Sequence, residues 1–288
     1  MSNMSRRTAL GTITAGVAGA VSLHAAAEDN REGARAMKGR IKQSVSRWCL
    51  GGVSLEDLAG EGAAMGLVGI DLLGMEEAET VKSLGLTCTM VNGPGGIAQG
   101  WNDPANHESL ITGAEDLLPK VAAAGLRNMI VLSGNRWGRS DSEGLTNCVT
   151  GLKQIMPLAE QLGVTVCMEL LNSKRDHADY MADRTPWGVE LVQRLGSSRF
   201  KLLYDIYHMQ IMEGDIIATI QENIDHIGHF HTGGVPGRHE LDDTQELNYR
   251  RIMEVIAETD FDGFVAHEFV PQRDPLTSLR EAVKLCDV

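Results

Sequence analysis

Short apolar runs recur along the chain, and most are followed by a longer stretch whose apolar residues fall three and four positions apart. The first pattern suits strands buried on both faces, and the second suits helices with one buried stripe. Eight strands are predicted: Ile41–Arg47, Val68–Leu72, Leu86–Val91, Asn128–Leu132, Val164–Leu170, Phe200–Asp205, His226–Thr232 and Phe261–Phe269. Helical spacing marks Leu55–Met65, Glu108–Ala124, Gly144–Leu162, Pro186–Leu195, Asp215–Asn223 and Asn248–Glu258. Ser54 is placed to cap the first helix, and Gly85, Gly125, Gly163 and Gly196 stand just past helix ends, where left-handed backbone costs glycine little. Strand and helix in alternation mean a parallel sheet, and eight such units close into a (β/α)8 TIM barrel, a single domain over residues 40–288. An open doubly wound sheet is the rival arrangement. No glycine-rich dinucleotide fingerprint follows the first strand, and the turn from Asn92 to Gly96 lacks its spacing, so that turn is read as a loop bordering a pocket.

Residues 1–27 do not fit this alternation. Ser5, Arg6 and Arg7 precede a mildly apolar stretch from about Thr8 to Leu23 and then Ala25, Ala26 and Ala27. These are the three regions of a signal peptide, and the paired arginines resemble the twin-arginine type, so export to the periplasm is expected. A polar linker over residues 28–39 would separate this leader from the barrel. The five cysteines are odd in number and scattered, which reads as buried free thiols rather than a disulfide framework or a zinc site. A net charge of −13 argues against a surface that neutralises phosphates, which makes nucleic acid and anionic lipid poor partners. A small anionic substrate stays compatible with it, and no segment is apolar enough for a stable membrane span.

Barrels of this kind place their chemistry at the C-terminal ends of the strands. Glu169, Asp205, His231 and Glu268 each close or nearly close one of the last four predicted strands. Three carboxylates buried together repel one another unless a cation neutralises them, and a divalent metal is the simplest remedy. Three carboxylates with one imidazole make a mostly hard donor set, suited to Mn2+ or Mg2+.

The runs Met168–Asn172, Tyr204–Gln210, Ile227–His231, Pro236–Glu240 and His267–Phe269 resemble those of hydroxypyruvate isomerases and the related ketose 3-epimerases of the xylose-isomerase-like barrels. The resemblance implies that Glu169, Asp205, His231 and Glu268 bind one divalent metal. It implies too that Glu169 and Glu268 are the acid/base pair, and that His208 and Arg238 lie on the substrate. Hydroxypyruvate isomerases tend to carry glutamine where His231 stands, whereas the ketose epimerases carry histidine. The chemistry so implied removes a proton beside a carbonyl, passes through an enediolate and returns the proton, giving an isomer or an epimer. A polyol dehydratase of the same superfamily would expel hydroxide from that intermediate, and a periplasmic sugar-binding barrel without turnover is the rival from another class. A barrel endonuclease would need more histidine ligands and a basic groove. Barrels of this kind often form homo-oligomers, though no segment marks an interface.

Other residues carry weaker expectations. Arg47 and Trp48 are expected on the opposite wall of the pocket, and Asn172 and Lys174 near the substrate. Trp101 or Trp137 would cover it or merely pack under a loop, and Glu240 would orient Arg238 or His239. By strand alternation His229 should face inward one layer below His231 as a hydrogen-bonded core histidine, and His267 should face the helices.

Overall fold

The computed structural model describes residues 37–288, so the leader expected at residues 1–27 lies outside the described residues. Eight parallel strands are present: β1 (Gln43–Ser46), β2 (Gly69–Asp71), β3 (Thr87–Cys88), β4 (Asn128–Val131), β5 (Thr165–Glu169), β6 (Phe200–Asp205), β7 (Ile227–Thr232) and β8 (Phe264–His267). They run in the order β3-β2-β1-β8-β7-β6-β5-β4. The ring closes through Val91 just beyond β3, whose N–H donates to Asn128 O at 3.0 Å while its carbonyl accepts from Ile130 N at 3.0 Å. This is the expected barrel, a single compact unit over residues 38–288.

The helices are α1 (Leu55–Met65), α2 (Met75–Ser83), α3 (His107–Ala123), α4 (Asp141–Leu162), α5 (Thr185–Leu195), α6 (Ile206–Met212), α7 (Ile216–Asn223), α8 (Tyr249–Ala257) and α9 (Pro275–Cys286). Ser54 Oγ accepts from Asp57 N, as an N-cap should, and Gly163 and Gly196 close α4 and α5 in the left-handed region. Three helices absent from the sequence expectation, α2, α6 and α9, fill the second, sixth and eighth units. Several strands are shorter than their apolar runs, and Leu170 and Phe269 stay buried just past the ends of β5 and β8.

Met90, Ile130, Cys167 and Leu203 pack together in the barrel interior, with Leu72 and Leu132 against them. Register then sets the polar layer. Asp205 pairs with His231 and His231 with Ala266, while Glu169 pairs with Leu203, one layer lower, and its longer side chain spans the difference. Glu268 lies two residues past Ala266 on the same face, its N–H donating to Thr232 O at 2.9 Å. Among the described residues no helix is long and apolar enough to cross a membrane.

Candidate active site

Glu169, Asp205, His231 and Glu268 converge. One donor atom from each lies within 4.8 Å of the others, and all four residues are buried. His231 Nδ1 stands 2.6 Å from Glu268 Oε2, 3.2 Å from Glu169 Oε1 and 3.9 Å from Asp205 Oδ2. Despite those approaches Nδ1 makes no hydrogen bond of acceptable geometry. The opposite nitrogen, Nε2, faces Asp71 Oδ2 at 2.9 Å, so that in the neutral ring with its proton on Nε2 the Nδ1 lone pair points at the carboxylates. Donors of one octahedral ion bound at about 2.1 Å are separated by about 3 Å when adjacent and about 4.2 Å when opposite, a range these contacts span apart from the shortest. An orphaned buried imidazole nitrogen among three carboxylates therefore fits a hard divalent cation.

Charge in the cluster is divided unevenly. Burial alone would raise the Glu268 carboxyl, but His231 and Arg238 hold it well below the usual range. Asp205 is pushed up to about 7 by burial, with Arg238 opposing and Glu268 adding to the rise. Burial would lower the His231 imidazole, yet Glu268, Asp71 and Glu169 carry it well above its ordinary value, so a bound cation would have to displace a proton.

Arg238 completes the balance. Its Nη2 lies 3.0 Å from Asp205 Oδ2 and 2.5 Å from Glu268 Oε2, and its Nε donates to the Glu268 carbonyl at 3.2 Å. The guanidinium lies between the Trp48 and Tyr207 rings, 5.3 and 5.1 Å from their centroids. Its backbone is left-handed, with φ 59°, a conformation that costs a non-glycine residue about 1 kcal/mol or more and persists where surrounding contacts impose it.

A cavity of about 480 Å³ opens over this cluster. Glu169, Glu268, Arg238 and His177 give it polar groups, while Leu72, Ile97, Ile130, Leu132 and Leu171 form an apolar wall. Asn92, Gly93 and Gly95 border it too, as expected of that glycine-rich turn.

Other expectations need correction. Arg47 does not border the cavity, because its guanidinium turns back to the Leu50 carbonyl at 3.0 Å. Trp48 does border it, but flush with Glu268 rather than opposite, its indole N–H donating to Oε1 at 2.5 Å. His208 and Asn172 are fully buried and stand behind Arg238 rather than on the cavity wall. Asn172 Oδ1 accepts from the Arg175 and Asp176 N–H groups, which orients its Nδ2 toward His208 Nδ1 at 2.6 Å. A guanidinium has no acceptor, so Arg238 Nη1 donates to His208 Nε2 at 3.0 Å, with Asp205 Oδ2 3.6 Å from the same nitrogen. Burial, Arg238 and His177 keep His208 well below its ordinary pKa and hence neutral.

Lys174 donates to the Ile211 and Met212 carbonyls at the end of α6, and Glu240 accepts from Gln272, Arg273 and Ser278, so neither touches the site. Trp101 is fully buried, with Trp137 exposed away from the cavity. His229 lies below His231, ring centroids 5.2 Å apart, but neither of its nitrogens has a hydrogen-bond partner. His267 faces away and bonds Thr232 and Gln43, its pKa lowered by burial to about 4. Sequence reasoning missed Asp71, which obeys the same strand-end rule on β2, and His177, which lies in a loop without periodic signal.

Residues 71–287 match the family described as the xylose isomerase-like TIM barrel, and the chain belongs to that family. It is 38% identical over 110 residues to the 2-oxo-tetronate isomerase of Cupriavidus necator, a match covering 38% of this chain and 42% of that protein. The hydroxypyruvate isomerase of Escherichia coli K12 is 28% identical over 178 residues, covering 62% of this chain and 68% of the relative. Among solved structures, an AP endonuclease, family 2, from Brucella melitensis superposes with a TM-score of 0.75 at 23% identity, covering 83% of this chain and 96% of the other. That last likeness concerns the fold. The chain thus spans less than half the length of the first of these curated relatives.

Proposed function

We propose that the protein is a divalent-metal-dependent isomerase of a small α-hydroxy carbonyl compound, a sugar or hydroxy acid. One observation carries this reading: of the four clustered residues, the carboxylates of Glu169 and Glu268 border the cavity, while Asp205 and His231 close the cluster beneath them. The relatives named 2-oxo-tetronate isomerase and hydroxypyruvate isomerase support the same reaction class. Glu169, Asp205, His231 and Glu268 would hold one Mn2+ or Mg2+, and the cation when bound supplies a Lewis acid for the negative charge that develops on the substrate oxygens.

The remaining work falls to side chains of this chain. Trp48 and Arg238 hold the Glu268 carboxylate fixed and ionised, which suits a base that removes the C–H proton between two oxygen-bearing carbons. Return of that proton from Glu268 to the neighbouring carbon gives the isomer, with the hydroxyl proton passing between the two oxygens. If Glu169, the other carboxylate at the cavity, starts protonated and delivers its own proton to the other face of the original carbon, the product is an epimer and the proton taken by Glu268 is released to solvent. Arg238 is the cationic group that meets a substrate oxygen, and the neutral His208 ring backs it by accepting from its Nη1 at Nε2. The apolar wall keeps bulk water from the reacting carbons.

The test is proton NMR in heavy water with the Mn2+-loaded, then Mg2+-exchanged, protein and a panel of hydroxypyruvate, 2-oxo-tetronate and ketoses. Deuterium should enter beside the carbonyl of at least one compound, with product of unchanged formula, and Glu268→Gln and Glu169→Gln should each slow exchange by about 10²–10⁴-fold. Full exchange in both variants contradicts the assignment of roles. Loss of water from the product points to a dehydratase, and binding without exchange points to a barrel that does not turn over.

A further inference from the structure

Asp71 ends β2, which stands three positions from β7 around the barrel, and its carboxylate reaches His231 through the interior. It is fully buried and does not border the cavity. Each oxygen has its own donor. Oδ2 accepts from His231 Nε2 at 2.9 Å, and Oδ1 accepts from the Thr89 hydroxyl at 2.5 Å, the same hydroxyl lying 3.0 Å from Ser44 Oγ.

A neutral imidazole carries one N–H and one lone pair, and the partner of the first decides where the second points. Committing Nε2–H to Asp71 leaves the Nδ1 lone pair among Glu169, Asp205 and Glu268. Without that anchor the three carboxylates would favour an Nδ1–H hydrogen-bonded to one of them, the form that cannot ligate. Thr89 in turn fixes the carboxylate. The structure assigns Asp71 as a positioning residue for the metal centre: it selects the tautomer and ring orientation of His231 that can bind a cation. This inference rests on the proposed metal-dependent reading of the same cluster.

Asp71, His229 and His231 also bring donor atoms within 4.8 Å of one another, which raises a second cation site as a rival. The geometry favours positioning. Both Asp71 oxygens already receive hydrogen bonds, and His229 Nε2, at 3.2 Å from Oδ1, adds none. No member of that trio borders the cavity, so an ion would have no direct path from it.

The deciding experiment is a Mn2+ titration against a competing chelating dye for wild type, Asp71→Asn, Asp71→Ala and Thr89→Val, with ions per chain counted and the melting of each metal-free protein recorded. Wild type should bind a single ion. Asp71→Ala should bind it about 10–100-fold more weakly, the usual cost of losing such an anchor. Asp71→Asn, whose amide oxygen can still accept from Nε2–H without the charge, should lose less, and Thr89→Val less again. In the ¹⁵N-labelled Mg2+ protein, the His231 ring should carry its proton on Nε2 in wild type and lose that single-tautomer signature in Asp71→Ala, a change that mere packing damage elsewhere would not produce. If Asp71→Ala fails to fold, Asp71→Asn decides by the same two readouts. Affinity and tautomer equal to wild type in the folded variants overturn the inference. So does a wild type that binds two ions and an Asp71 variant that binds one. A wild type that binds no Mn2+ overturns the metal reading itself, and this one with it.

Discussion

Three buried carboxylates meet one imidazole and one guanidinium at the cluster, and the protons among them make the metal-free protein sensitive to pH. Asp205 would ionise near 4 in an unfolded chain, but its carboxyl is pushed up to about 7 in the fold. Its stabilising share is complete below the unfolded value and fades as pH rises toward 7. His231 has the same sign. Its share is complete below about 6.5 and is lost as pH climbs through its raised folded value. His208 and His267, whose pKa values are lowered, act with the opposite sign only until unfolded histidine is neutral, about pH 7.5. Calorimetry of chelator-treated protein should therefore show a melting temperature that falls from about pH 7.5 to 9, and saturating Mn2+ should flatten or reverse that slope by replacing the proton on His231. A metal-free melting temperature that rises across this window contradicts the charge assignment. The four cluster residues were legible in the sequence because each is a polar residue ending an apolar strand, and Asp71 on β2 could have been found by the same rule. Asn172 and His208 were read as touching substrate, and their place behind Arg238 was not legible, since their mutual contact depends on how the loop from Asn172 to Asp176 folds back.

Among the secondary elements, those with strong one-sided periodicity were foreseen and those without it were not. In α2 only Ala78 and Val81 are buried, too few to mark a stripe, whereas α6 buries Ile206, Tyr207, His208, Met209 and Met212 and so shows no polar face. The start of α9 did carry a signal, Asp274 as cap with Pro275 in the first turn, at the place where the last apolar run was read as continuing to Phe269. β3 is the most delicate element. It spans two residues, and the ring closes beyond it through Val91. Gly93 stands two residues further on, and a Cβ there would lie 2.0 Å from the Ile130 carbonyl oxygen and 3.3 Å from the Met129 side chain. Gly93→Ala must therefore push β3 and β4 apart at the cavity rim, and a loss of about 1–3 kcal/mol in denaturant unfolding is expected, typical of overpacking. Unchanged stability would show that the closing contacts yield more freely than these distances imply.

At the scale of the molecule, one closed sheet gathers donors from the fifth to the eighth units at a single mouth and sets an apolar wall drawn mainly from the second to the fifth units against them. The net charge of −13 favours cation capture over polyanion binding, which leaves Arg238 to meet any anionic group of a small substrate inside the cavity. The fold class was readable from alternation alone, since strand and helix in series admit few closed arrangements. If Glu169, Asp205, His231 and Glu268 grip one shared cation, elemental analysis will count it. After loading with Mn2+ and gel filtration, wild type should retain about one ion per chain, and Asp205→Asn and Glu268→Gln, folded by circular dichroism, should retain far less. A wild type that retains none, or variants that retain as much as wild type, would contradict it.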